Sequence, residues 1–208
     1  MKMWAVLLAV SAGCQSNIKT PFPPGLEPLE SNPVMLGSDY AEGLVTKTSD
    51  SPYVKIFARG YVLVAPGTLW AAAKSPAPNV AVCSTNVQTE DINNDPAYEY
   101  SFLVHYTVNN FVTVQWDDQW RFGTVEGTPD APTLAMMRHQ KTQGSDFIRL
   151  SEGTIELDET SDPNVAELSF VEHLDATSAG VSDVLKGVQH NYDSLVAVAH
   201  GNPVPACP

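Results

Sequence analysis

The chain has 208 residues, 43% of them hydrophobic and 17% charged, which is enough apolar material for one domain of ordinary size plus tails. Its 24 acidic residues against 11 basic ones give a formal net charge of −13. That balance excludes a nucleic-acid partner and excludes electrostatic docking on an anionic bilayer, so any membrane attachment must come from a lipid or an apolar segment.

Residues 1–13 read as an export signal: Lys2 supplies the positive charge, residues 3–10 (MWAVLLAV) the apolar run, and Ser11, Ala12 and Gly13 the small residues directly before Cys14. The run is far shorter than the roughly 20 residues that span a bilayer core in a helix. The segment is expected to be the signal peptide of a bacterial lipoprotein, with Cys14 carrying the lipid and Ser11 standing where such a box usually has Leu; the alternative is an ordinary cleaved signal. The protein is then expected in the cell envelope, periplasmic or at the surface, and attached to the membrane only by its lipid. Residues 14–50 contain Pro21, Pro23, Pro24, Pro28 and Pro33 and no sustained apolar period, and read as an extended tether. Residues 51–201 form the domain and residues 202–208 a tail. The other two cysteines, Cys83 and Cys207, are expected to form a disulfide in an oxidising compartment, with two free thiols as the alternative.

From residue 53 apolar and polar residues alternate. Residues 55–64 (KIFARGYVLV) read as a strand, and Leu69, Trp70 and Ala73 fall at helical spacing in one or two short helices stopped by Pro76 and Pro78. Residues 98–108, 111–116, 119–125, 134–140, 147–158 and 165–174 are rich in β-branched and aromatic residues and are separated by turn residues, which makes an antiparallel meander. Asp117 and Asp118 are expected at the tip of a tight turn within it. In the last segment Val181, Val184, Leu185, Val188, Tyr192, Leu195, Val196 and Ala199 recur at steps of three and four, opposite Ser182, Asp183, Lys186, Gln189 and Asp193. This predicts one long helix, capped by Thr177 or Ser178, whose stripe covers the sheet; Val188 should be buried and Lys186 exposed.

This order resembles the START-like superfamily, also called SRPBCC or polyketide-cyclase-like. Ala65, Pro66, Leu69 and Trp70 within residues 60–78 are similar to its opening segment, and residues 153–158 with 166–170 to its late hairpin. The resemblance covers about residues 53–200. It implies an α+β helix-grip fold: a curved antiparallel sheet of about seven strands around one long C-terminal helix, with two short helices after the first strand. It also implies a cavity under the helix that in many relatives takes a lipid-like or other apolar molecule.

No phosphate loop, HExxH, CxxC or GxSxG occurs, so the reading points away from catalysis and from any metal or cofactor. His105, His139 and His173 lie in expected strands, His105 facing with Leu103, His139 with Met137 and His173 with Val171; isolated sheet histidines are the simpler reading. The candidate cavity residues are Phe102, Val104, Tyr106, Trp120, Arg121, Met136, Leu168, Phe170, Val184, Val188 and Tyr192, with Arg121 able to meet an acidic head group or a neighbouring carboxylate. Two other readings stand beside an apolar-ligand binder: a cyclase- or hydrolase-type enzyme using a histidine and Arg121 in the cavity, and an inert scaffold or interaction protein. Oligomeric state is not legible.

Overall fold

The strand Val54–Val62 shows how the sheet is built: Ile56, Ala58 and Val62 face one side and enter the main core, while Lys55 and Arg59 face the other and meet carboxylates. A computed structural model describes residues 17–80, 86–109 and 112–207, with residues 86–90 described by their backbone alone. The elements in chain order are β1 (Ile18–Lys19), β2 (Gly43–Ser49), β3 (Val54–Val62), α1 (Pro66–Ala73), β4 (Asn86–Ile92), β5 (Tyr100–Asn109), β6 (Thr113–Thr128), β7 (Ala131–Gly144), β8 (Ile148–Glu159), β9 (Ala166–Ala176) and α2 (Val181–Ala199). The main strands pair antiparallel in the order β2-β3-β9-β8-β7-β6-β5-β4, so the first long strand lies beside the last.

Both helices lie on the inner face. Pro66 opens α1 at its first turn, where the missing N–H costs nothing, and Asn79 Nδ2 closes it by donating to Ala73 O and Ser75 O. Leu69, Trp70 and Ala73 of α1 are fully buried. α2 runs over β2, β3 and β9 and against α1. Its N-cap is Gly180, not Thr177 or Ser178, and the Asp183 carboxylate accepts from the Gly180 N–H at 3.0 Å, where negative charge also complements the helix dipole. Val188 is 5% exposed and Lys186 is exposed, as the stripe requires. Tyr192 seats the helix: its hydroxyl donates to Tyr61 O at 2.5 Å and accepts from the Gly43 N–H at 2.9 Å. Its ring passes over Gly60, where a Cβ would lie 2.7 Å from Tyr192 Cε2 and 2.5 Å from Gly43 O, so only glycine admits this approach.

Three expectations are corrected. Among the described residues one short helix, not two, follows β3. The residues at 113–125 form one strand with no turn between them: Asp117 and Asp118 are 8% and 3% exposed in the middle of the 16-residue β6. Residue 111 lies outside the described residues. From Asn17 onward the expected tether is instead docked on the outer face of the sheet. Its prolines keep it extended, but it carries just enough apolar and polar groups to bind. β1 pairs with Gln143 and Gly144 along the edge that β8 leaves free after Gln140, and Thr20 N–H donates to Thr142 O at 2.7 Å. Gln140 donates to Pro21 O at 2.8 Å. The Arg121 guanidinium stacks 3.9 Å from the Phe22 ring and donates to Pro23 O at 3.0 Å. Leu29 and Val34 pack on Phe57 and Val171 as a second, smaller core, and residues 43–49 become the edge strand β2.

Asn32 is the densest of these anchors. Its Nδ2 donates to Ala58 O, Ser169 Oγ and Phe170 O at 2.9–3.1 Å, and its Oδ1 accepts from Val34 N–H at 3.0 Å. Asn32→Ala should cost about 1–3 kcal/mol in urea unfolding, as expected for orphaned partly buried hydrogen-bonding groups, and should open residues 17–34 to limited proteolysis. An unchanged digestion pattern would show that the segment is held elsewhere.

Candidate functional site

The expected cavity walls are brought together, but against one another. Phe102, Val104, Tyr106, Trp120, Leu168, Phe170, Val188 and Tyr192 are each at most 5% exposed and form one packed cluster, with Val184 half-buried at its margin. Phe102 and Trp120 stack with centroids 5.6 Å apart, and Tyr106 and Trp116 at 4.8 Å. Two candidates lie on the wrong face. Met136 sits between Ala135 and Met137 of the inner core and by alternation points outward, opposite Gly123 and Glu156. Arg121 also points outward, where it pairs with Asp95 at 3.2 Å and stacks on Phe22 and Tyr98.

A polar cluster absent from that candidate set lies on the inner face. His139 stacks on Trp120 with centroids 4.3 Å apart, and places Nδ1 3.1 Å from Asp118 Oδ2 and Nε2 3.0 Å from Glu172 Oε2. Burial disfavours the imidazolium, but the charges of Glu172 and Asp118 outweigh it and hold the His139 pKa well above the ordinary 6.5. Gly153 makes the arrangement possible, because a Cβ there would collide with both His139 Nε2 and Glu172 Oε1. Burial, then Asp118 and Glu172, push the nearby Tyr106 phenol well above its ordinary value. Among the described residues Asp118 Oδ1 and Trp120 Nε1 are buried without a hydrogen-bond partner.

The three strand histidines do not converge. His105 faces outward to Asp117, with Nδ1 and Oδ1 2.5 Å apart, and His173 faces outward between Glu152 at 3.1 Å and Glu30 at 2.7 Å. An enzyme using His139 with Arg121 in one cavity therefore lacks its geometry, since the sheet separates the two. Among the described residues no group of three or more His, Cys, Asp or Glu is arranged to hold a metal ion. Two open clefts, of about 480 and 500 Å³, lie where the N-terminal segment meets the sheet, and neither takes a lining residue from α2. The first is lined by Glu30, Asn32, Arg59, Thr154, Glu156 and Ser169. Along β8 from it, burial and a hydrogen bond that the protonated Asp158 donates to the Glu156 carboxylate push the Asp158 pKa up to about 7.

With strand, short helix, antiparallel run and closing long helix in this topology, the chain has a START-like helix-grip fold of the α+β class. Solved structures similar to it include the Zhui aromatase/cyclase from a Streptomyces species, at 10% identity over 70% of this chain and 93% of that one, with a TM-score of 0.47. The human StarD13 lipid transfer and protein localization domain is similar at 11% identity over 77% and 89%, with a TM-score of 0.48. A protein from Chromobacterium violaceum is similar at 14% identity over 70% and 96%, with a TM-score of 0.49. No family model and no curated protein matches the chain.

Because its pKa is raised on folding, His139 contributes stability that is fully present below about pH 6.5, declines above it and is lost as pH rises through the folded value. An NMR titration should find the His139 ring still doubly protonated at a pH where an ordinary imidazole has lost its proton. The stability difference between wild type and His139→Gln should shrink as the pH is raised. A ring that loses its proton near its ordinary value would refute the charged cluster.

Proposed function

We propose that the chain is an exported, lipid-anchored envelope protein whose domain holds an apolar small molecule between the sheet and the first half of α2, without chemistry. The observation that carries this is the uneven seating of α2. Val188, Tyr192 and Leu195 in its middle are at most 5% exposed, whereas Val181, Val184 and Leu185 before them are only half-buried, as are Val196 and Ala199 at the far end, which Tyr192 holds against the sheet. The change occurs at Gly187, an exposed glycine inside the helix with nothing within 4 Å of where its Cβ would stand. Glycine there weakens the helix by about 0.5–1 kcal/mol relative to alanine. The first two turns can then lift while Tyr192 holds the rest, admitting an apolar ligand to a face that is closed in the packed state. The outward positions of Arg121, His105 and His173 and the locked His139 pair support binding over catalysis.

One observation favours the scaffold reading instead: the inner-face aromatics already fill one another's space. Gly187→Ala separates the two. The variant should gain about 0.5–1 kcal/mol of stability on either reading, and if the helix opens it should also bind an apolar fluorescent probe several-fold more weakly than wild type. A wild type that takes up no probe would leave the scaffold reading standing.

The anchor is proposed from residues 1–13 and Cys14, and the disulfide from Cys83 and Cys207; Cys14 and Cys83 both lie outside the described residues. Among the described residues no helix is long and apolar enough to cross a membrane. Cys14→Ser should move the protein from the membrane to the soluble fraction, and unchanged partition would refute the lipid. Mass measurement after alkylation without reduction should show no added label on Cys83 or Cys207.

A further inference from the structure

We infer that the end of the sheet carrying the β5–β6 and β7–β8 turns and the start of α2 lies against the bilayer, making this end a surface for neutral lipid head groups. The inference rests on the lipid-anchor reading of Cys14 and adds an orientation to it. Residues 14–50 are too long, as a free tether, to orient anything. The structure removes that freedom, because Ile18 is already paired with Gly144 and Lys19 with Gln143, and the chain from there runs up the outer face through Thr20, Pro21 and Phe22. From Cys14 to Ile18 the sequence has four residue steps, which reach at most about 14 Å.

Gly144 is the last residue of β7, next to the turn to β8. The same end carries Ile18 at 44% exposure, Phe147 at 37% and, in the β5–β6 turn, Val112 at 48%. The start of α2 joins it, since Thr177 N–H donates to Phe147 O at 2.8 Å just before the helix. The sheet's opposite end also exposes apolar side chains, Leu63, Ile92 and Val125, but Val125 is 12 residues along β6 from Thr113, about 40 Å at strand rise. A lipid on Cys14 cannot bring that end to the membrane while β1 stays paired. At the near end the exposed Asp146 and Asp183 outnumber the exposed Lys19, and Arg149 is neutralised by Asp175, so the end offers no net attraction to anionic lipids and its apolar side chains suit a neutral surface. The half-buried Val181, Val184 and Leu185 then open toward the acyl region, where an apolar molecule resides.

The test uses the full lipidated chain in phosphatidylcholine vesicles with a photoreactive benzoylphenylalanine replacing Phe147, Val112 or Val125 one at a time. The expected result is lipid adducts at positions 147 and 112 several-fold above position 125, and loss of that contrast when a long Gly-Ser spacer is inserted between Ser16 and Asn17. Equal yields at all three positions, on protein whose N-terminal peptide carries the lipid by mass, would overturn the orientation and leave the anchor intact. An N-terminal peptide without lipid would overturn the anchor and this inference with it.

Discussion

The contact of Tyr192 with the backbone around Gly60 is the constraint on which the other inner-face arrangements depend. A side chain at position 60 would force α2 off β3, and with it would go the hydroxyl that ties Tyr61 O to the Gly43 N–H. Ser194 and Leu195, just C-terminal to that point, are fully buried beside a short, directional contact that also holds β2 to β3, and Val196 to Ala199 beyond them are half-buried. On its N-terminal side Val188 and His190 are still buried, whereas Val181, Val184 and Leu185, beyond Gly187, are only half covered. The deep burial of the middle of α2 therefore has a local cause, a single tight seat at one point of a 19-residue helix whose two ends are half-buried.

The outer face is organised by a different logic. Helix-covered faces are held by apolar area, whereas the segment before β2 is held largely by isolated hydrogen bonds to backbone carbonyls: Gln140 and Arg121 donate to its Pro21 O and Pro23 O, and its own Asn32 donates to Ala58 O of β3 and Phe170 O of β9. Such binding leaves no apolar period in the bound strand, which is why residues 17–42 read as a tether. Backbone acceptors are the same in every residue, and their use is invisible in a one-dimensional pattern.

The long helix, its buried stripe and most strands were legible because periodicity is a local property; Val188 and Lys186 fall on the faces that their spacing demands. The inner polar cluster was not. Two adjacent aspartates read as a turn, since a turn is where such residues are least costly. Their partners lie 12 and 21 residues away for Asp117–His105 and Asp118–His139, and 33 for His139–Glu172. Only pairing across β5, β6, β7, β8 and β9 turns those separations into contacts. Alternation did place His139 on one face with Met137, and the structure makes that face the inner one. Arg121 and Met136 were misassigned because a residue's face could be read only relative to its neighbours and not to the helix.

The pairing of β3 with β9 has a consequence for the order in which the molecule forms. β3 cannot be covered on its β9 side until residues near 176 are available, and the arm from Asn17 to Val34 binds to β7, β9 and β3 together. Long-range closure of this kind is slow relative to local pairing. The arm from Asn17 to Val34 is thus the last described part of the chain to lose its freedom, and it seats on the outer face only when the final strand is in place.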